Sequence, residues 1–188
     1  MSSYSQMNEI KFKKLVTFLS EKGLTISAME SCTGGGFMNS LTNIEGASSV
    51  AKAGYVTYSN EEKIRRGVPS EIIQKYSVYS AECAKAMADA CKKESGADIS
   101  IGITGNFSNV DPQNQESSMP GRVFFCISMP NEYIEKTASV PIKDDKGQPL
   151  QRKDQKDIIL YNVVRQLEGK TQNFSKMPDQ KSVNEHSF

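Results

Sequence analysis

The chain has 188 residues, a formal net charge of +1, 37% hydrophobic and 24% charged residues. That is enough for one domain with a substantial core, and the balanced charge leaves no broad electrostatic footprint for nucleic acid. No apolar run approaches the roughly 18–20 residues that span a membrane, and with one histidine (His186) and no CxxC pairing neither a Ser-His-Asp hydrolase nor a metal site is expected.

Met1 to Gln6 show neither the basic start nor the apolar stretch of a signal peptide, so a cytoplasmic location is expected, with the nucleus possible. Met7, Ile10, Leu15, Phe18 and Leu19 recur at helical spacing and predict a helix over 7–22, ended by Gly23. Lys11, Lys13 and Lys14 read as its solvated face. Residues 24–29 predict a strand leading directly into Glu30-Ser31-Cys32-Thr33-Gly34-Gly35-Gly36, a sharp polar turn, and then a helix to about Leu41. The glycine run is neither a P-loop nor a G-x-G-x-x-G motif. It is read as a tight turn, or as a set of unobstructed N–H groups for a phosphate or a developing oxyanion.

Residues 54–58 predict a second strand, rich in β-branched and aromatic side chains. Ser59-Asn60-Glu61-Glu62 then reads as a capping box, which puts Lys63 in the first turn of a helix, near Tyr58. Pro69 to Tyr76 suggests a short helix. Ser80 caps a stronger one whose apolar stripe is Cys83, Met87, Ala90 and Cys91, up to Gly96. Residues 98–104 predict a buried strand ending in Thr104-Gly105. Residues 106–120 form a connection long enough to be either functional or mobile. Arg122–Met129 and Tyr133–Val140 predict an antiparallel pair, and 153–167 a last helix with Ile158, Ile159, Val163 and Val164 on its apolar side. From Gly169 the chain is polar and aperiodic, which predicts a disordered tail over 169–188.

This order predicts an α/β fold, a three-layer α/β/α sandwich with a mixed sheet, as one domain over 1–168. Ligand sites in such folds lie beyond the carboxyl ends of strands, where Ser31, Tyr58 and Thr104 all fall. Without a usable histidine, serine chemistry at Ser31 needs lysine or tyrosine as its base. Singly, Lys63 reads as a helix-surface lysine and Tyr58 as a strand-end aromatic. Together with Ser31 they form a stronger signal.

Ala28-Met-Glu-Ser-Cys-Thr-Gly-Gly35 and Gly54-Tyr-Val-Thr-Tyr-Ser-Asn-Glu-Glu-Lys-Ile64 resemble the two signature blocks of the CinA C-terminal-domain family, whose active members are nicotinamide mononucleotide amidases. Agreement continues through 43–49, Gly67-Val68, Tyr79-Ser80, Gly96-Ala97-Asp98 and Ile103-Thr104-Gly105, so the resemblance spans residues 8–168. It implies cofactor-free hydrolysis of the nicotinamide carboxamide, releasing ammonia and leaving nicotinate mononucleotide. Ser31 would be the nucleophile and Lys63 the general base, assisted or positioned by Tyr58. An ordinary lysine pKa of about 10.4 leaves the amine protonated at pH 7, so this role needs desolvation or a nearby cation. Arg65 or Arg152 could supply that cation.

The same resemblance implies that the N–H groups of Thr33, Gly34 and Gly35 stabilise the oxyanion or bind the phosphate. It implies that Asn60, Thr104 and Gly105 contact the substrate and that Arg152 suits its phosphate. The implied partner is a small pyridine nucleotide, with neither nucleic acid nor membrane, and a homo-oligomer is expected. The chain departs from the family at Asn106-Phe-Ser-Asn-Val-Asp-Pro112, where glycines are usual and let a backbone approach a ligand closely. Lys143-Asp-Asp-Lys-Gly147 also replaces the usual Gly-Asp-Arg segment. The alternative reading is therefore a catalytically inactive family member that serves as a nucleotide-binding or protein-interaction module. Cys32, beside Ser31 at a helix N-terminus, is read either as a redox-sensitive thiol of lowered pKa or as a small buried residue behind the turn.

Overall fold

Residues 26–30 and 99–106 are buried at every position, so both strands need cover on two faces. The computed structural model describes residues 3–112 and 114–174 and provides that cover. In chain order it contains helix α1 (Ser3–Lys22), strand β1 (Ile26–Glu30), helix α2 (Gly36–Thr42), a 3-10 turn (Ala47–Ser49) and strand β2 (Ala51–Val56). Helices α3 (Asn60–Arg65), α4 (Ser70–Tyr76) and α5 (Ala81–Ser95) follow. Strands β3 (Ile99–Asn106), β4 (Arg122–Ser128) and β5 (Tyr133–Ser139) then lead to helix α6 (Arg152–Phe174).

The sheet order is β2-β1-β3-β4-β5. Strand β1 runs parallel to both neighbours, while β4 and β5 are antiparallel additions. Strand alternation divides the core. Ile26, Ala28, Ile99, Ile101 and Ile103 face Phe12, Leu15 and Leu19 of α1, Phe37 and Leu41 of α2, and Ile159 and Val163 of α6. Met29 packs on the opposite side with the α5 stripe of Cys83, Met87 and Cys91. The predicted three-layer sandwich with a mixed sheet is the observed architecture. Among the described residues no helix is long and apolar enough to cross a membrane.

Helix α5 lies so close to the sheet that a Cβ at Gly102 would stand 2.0 Å from the Ala84 carbonyl oxygen. Beside it, the Ser100 hydroxyl donates to the Ala88 carbonyl at 2.7 Å. At the helix starts, Ser59 and Ser80 accept from the N–H groups of Glu62 and Cys83. The expected capping box is half made, because the Glu62 carboxylate turns instead to Arg65 and Arg66.

Several boundaries differ from the sequence pattern, and helix α1 begins at Ser3, ahead of the expected residue 7. Strand β2 begins at Ala51, because parallel pairing with β1 outweighs the weak strand preference of Ala51, Lys52 and Ala53, and it ends before Tyr58. Strand β3 runs past Thr104 to Asn106, drawn on by pairing of Gly105 and Asn106 with Val123 and Arg122. Helix α6 continues through Gly169 to Phe174, correcting the start of the predicted tail. One helical glycine costs only about 1 kcal/mol relative to alanine, and a Lys170–Glu132 ion pair at 2.5 Å ties this last part to the β4–β5 turn. The rest of the predicted tail, 175–188, lies outside the described residues.

Two glycine substitutions test this packing in opposite directions. Gly102→Ala is expected to destabilise by about 3 kcal/mol, the upper range for overpacking a core. Gly169→Ala, whose Cβ would meet nothing within 4 Å, is expected to stabilise by up to about 1 kcal/mol. Urea unfolding of both variants beside the parent protein reads the two changes.

Candidate active site

Strand β1 ends at Glu30, a carboxylate with 1% of its surface exposed. Burying that charge requires donors, and the first turn of α2 supplies them: the Phe37 and Met38 N–H groups donate to Glu30 at 3.0 and 3.1 Å. Between strand and helix the chain makes a tight turn, closed by the Gly34 N–H donating to the Ser31 carbonyl at 3.0 Å. Gly35 adopts φ 87°, a left-handed conformation that favours glycine. The Ser31 N–H donates to the Ile103 carbonyl at 2.9 Å, which fixes the serine against β3.

Lys63, in α3, reaches the same point from the other side. Its Nζ lies 3.1 Å from Ser31 Oγ, 2.9 Å from the Thr57 carbonyl oxygen and 3.4 Å from that of Tyr58. The lysine is 2% exposed, so it is not the surface side chain that its short polar helix suggests. Burial lowers its pKa below the ordinary lysine range; the thiols of Cys83 and Cys32 and the carboxylates of Asp111 and Glu61 oppose the shift. Of the two routes left open by the sequence, desolvation or a nearby cation, desolvation is the larger cause here. Arg65 is exposed and paired with Glu62 at 2.8 Å.

Ser31, Lys63, Tyr58, Asn60, Gly105 and Arg152 line one cavity of about 540 Å³. Tyr58 stands at its rim with 66% of its surface exposed, and what it gives Lys63 is its backbone carbonyl. Thr104 does not line the cavity: it is fully buried and its hydroxyl donates to the Val78 carbonyl at 2.8 Å. Thr33, Gly34 and Gly35 also stand outside the lining. Of the expected N–H groups, that of Gly34 is taken by the Ser31 carbonyl; beyond them Gly36 donates to Thr33 O at 3.2 Å, and Phe37 and Met38 serve Glu30. The Thr33 hydroxyl is buried without a hydrogen-bond partner among the described residues.

The segment after β3 forms a wall of this cavity. Phe107, one of the residues that replace the usual glycines, does not line the cavity and is fully buried in the core with Phe37 and Ile159. Ser108 donates to Gln155 of α6 at 2.9 Å, and Gln155 in turn donates to the Pro141 carbonyl at 3.0 Å. The Asn106 amide donates to the Asn109 carbonyl and to the Ser118 hydroxyl. Asp111 accepts from the Tyr79 hydroxyl and from the Asn114 amide, both at 2.7 Å. Sequence marks this segment as an Asn- and Asp-rich loop, but it carries no period that tells which polar groups turn inward. Cys32 is buried, and burial with the nearby Glu30 charge pushes its thiol up to about 12. That corrects the redox reading, which required a lowered thiol pKa.

Lys63 also links stability to pH. Its folded-state pKa lies below the unfolded value of about 10.4, so between the two the unfolded chain binds more protons and stability rises with pH. Below that window the folded protein bears the full cost of a buried ammonium. Lys63→Met, which carries no charge, is expected to have its greatest stability advantage over the parent at neutral and lower pH. That advantage should shrink as pH approaches about 10. Thermal unfolding of both proteins from pH 6 to 10 measures it.

Residues 9–156 match the family model of the CinA C-terminal domain. A Geobacillus sp. (strain WCH70) protein named for competence-damage induction is 36% identical over 169 residues, which are 88% of this chain and 40% of that one. A CinA-like protein of Dictyoglomus thermophilum is 47% identical over 92 residues, 48% of this chain and 22% of that one. The chain thus spans less than half the length of either relative. Among solved structures, a CinA-superfamily protein of Klebsiella pneumoniae superposes with a TM-score of 0.77 over 88% of this chain and 98% of that one. At 20% identity this likeness concerns the fold. A competence or damage-inducible protein of Enterobacter asburiae, 25% identical, gives 0.76 over 87% of this chain and 98% of that one. With a strand-end serine set against a buried lysine inside the matched span, the chain belongs to the CinA C-terminal domain family.

Proposed function

We propose that this chain is a cofactor-free amidase that deamidates nicotinamide mononucleotide, or a closely related pyridine nucleotide, to the carboxylate and ammonia. The observation that carries the reading is the 3.1 Å contact between Lys63 Nζ and Ser31 Oγ at the wall of a nucleotide-sized cavity. A neutral lysine amine has two N–H donors and one lone pair. The two carbonyls at Thr57 and Tyr58 take the donors, and the lone pair is left to accept the Ser31 hydroxyl proton.

As that proton passes to Lys63, Ser31 Oγ attacks the carboxamide carbon and a tetrahedral oxyanion forms. The Cys32 N–H, next along the chain at the cavity wall, is the backbone donor that would meet it. When the C–N bond breaks, the Lys63 ammonium protonates the leaving nitrogen and ammonia departs. A water deprotonated by Lys63 then attacks the acyl ester, which releases the carboxylate and restores the Ser31 hydroxyl. Arg152 suits the phosphate, Asn60 and Gly105 border the bound nucleotide, and Tyr58 covers the mouth. The alternative, a binding module without turnover, draws on the altered 106–120 segment; the close Ser31–Lys63 pair favours the enzyme.

The test is ammonia release from nicotinamide mononucleotide, with ligand-induced thermal shift read on the same samples. Ser31→Ala is expected to lower kcat by about a thousandfold or more while keeping the shift. In the parent protein kcat/KM should rise with pH through the lowered Lys63 pKa and level off below about 10. A shift without Ser31-dependent release would make the chain a nucleotide-binding module. Absence of both would remove either reading.

A further inference from the structure

We propose that Tyr79 is the ring-binding residue of this cavity and selects substrates that carry a planar cationic ring. The inference rests on the amidase reading for the identity of the ligand, and it adds a specificity residue outside the reacting pair. Tyr79 lines the same cavity as Ser31, Lys63 and Arg152. Val78, Val110 and Pro112 line it too, so much of the apolar lining gathers on two short segments, 78–79 and 110–112. The Tyr79 hydroxyl joins those segments by donating to Asp111 at 2.7 Å.

The backbone leading to Tyr79 is strained. Ser77, where α4 ends, has φ 70° and ψ 163°, a conformation essentially restricted to glycine. It is the one non-glycine residue with a positive φ among the described residues. Such a conformation persists only where its surroundings over-determine it. Here the Ser80 hydroxyl donates to the Ser77 carbonyl at 2.8 Å, and the Ser77 N–H donates to the Ile73 carbonyl at 2.9 Å. The Thr104 hydroxyl holds the Val78 carbonyl at 2.8 Å, and the Ser77 and Ser117 hydroxyls tie this corner to the segment after β3. Beyond the corner, Tyr79 packs against the cluster that contains Met29, Cys83 and Met87. Packed on the core and tethered at its hydroxyl, the ring is oriented before any ligand arrives, so little ordering remains at binding.

Its chemistry selects the ligand. The face of an aromatic ring is the negative part of its quadrupole and attracts a cation placed over it. The ring of nicotinamide mononucleotide is a pyridinium, planar and positively charged. Because it bears the carboxamide, it is the part of the ligand that must stand beside Ser31. Burial and the hydrogen bond to Asp111 raise the Tyr79 pKa, so the phenol stays a donor and the tether holds across the working pH range. Tyr58 at the rim and Cys32 beside the nucleophile add to that rise, which places both near the same ring. An uncharged ring of equal size fills the same space but forgoes the electrostatic part of the contact. Tyr79 therefore separates the oxidised ring from its dihydro form.

The experiment is calorimetric binding to the full chain in the Ser31→Ala background, where no turnover intervenes. The ligands are nicotinamide mononucleotide and its dihydro form, which keeps the sugar and phosphate but has an uncharged ring. Nicotinamide mononucleotide is expected to bind tighter by about twofold to thirtyfold. Adding Tyr79→Leu should erase that preference by weakening the cationic ligand; Tyr79→Met is the second ring-less variant should the first not fold. Tyr79→Phe, which keeps the ring, and Asp111→Asn, which removes the neighbouring charge, should both retain it. The proposal is overturned if no preference exists, or if it survives loss of the ring with both ligands weakened equally, which marks a structural role. Loss of the preference in Tyr79→Phe would assign it to the hydroxyl, and loss in Asp111→Asn to a carboxylate counter-ion; either also overturns the proposal. Failure of nicotinamide mononucleotide to bind removes it outright. Ammonia release by the parent protein is scored separately. A Tyr79-dependent preference without release would sink the amidase and leave this inference standing, and release without the preference would do the reverse.

Discussion

The site depends on keeping one lysine side chain out of water. With 2% of its surface exposed, Lys63 sits where an ammonium is costly, and two backbone carbonyls and the Ser31 hydroxyl placed to meet its nitrogen make the position tolerable. Those carbonyls come from Thr57 and Tyr58, where the chain leaves the end of β2. Their position follows from the parallel pairing of β2 with β1, which is continued past the strand by the Thr57 N–H donating to the Glu30 carbonyl at 2.8 Å. Sheet register thus sets the lysine's surroundings, and these in turn set its basicity.

Glu30 plays the corresponding part for the serine. Its carboxylate draws the first turn of α2 down onto the end of β1, so that Ser31 occupies a turn with little freedom. A buried carboxylate opposite two backbone N–H groups also complements the positive end of a helix. The glycines are therefore chiefly a matter of chain geometry. They let the turn close tightly enough for a strand-end carboxylate to cap the helix that follows.

Much of this was legible in the sequence. The Ser59 and Ser80 caps and the α5 stripe follow from periodicity and local chemistry, and the pairing of Ser31 with Lys63 from the family resemblance. What could not be read is which way a side chain turns when its own element has no period to show. Helix α3 is too short and polar to declare a buried face, so Lys63 looks like a surface residue until the sheet is assembled. Tyr58 falls just beyond the end of β2 and Thr104 lies inside β3, and there one contributes a carbonyl and the other pins Val78. Phe107 shows no direction in sequence because the core that receives it is formed by distant residues. Glu30 was the missed signal that was available: an acid inside an otherwise apolar strand needs donors nearby.

Ser31 follows the end of β1 and Lys63 sits in α3 just after β2, whereas the cavity wall over 107–112 continues from the end of β3 and is tied to α6. The Ser31–Lys63 pair and this wall meet at β3, where the Ser31 N–H donates to the Ile103 carbonyl. Insertions or replacements along residues 106–120 can change what enters the cavity while the distance between Ser31 and Lys63 is held by a different part of the sheet. In such a fold, divergence between relatives should accumulate on the wall before it reaches the floor.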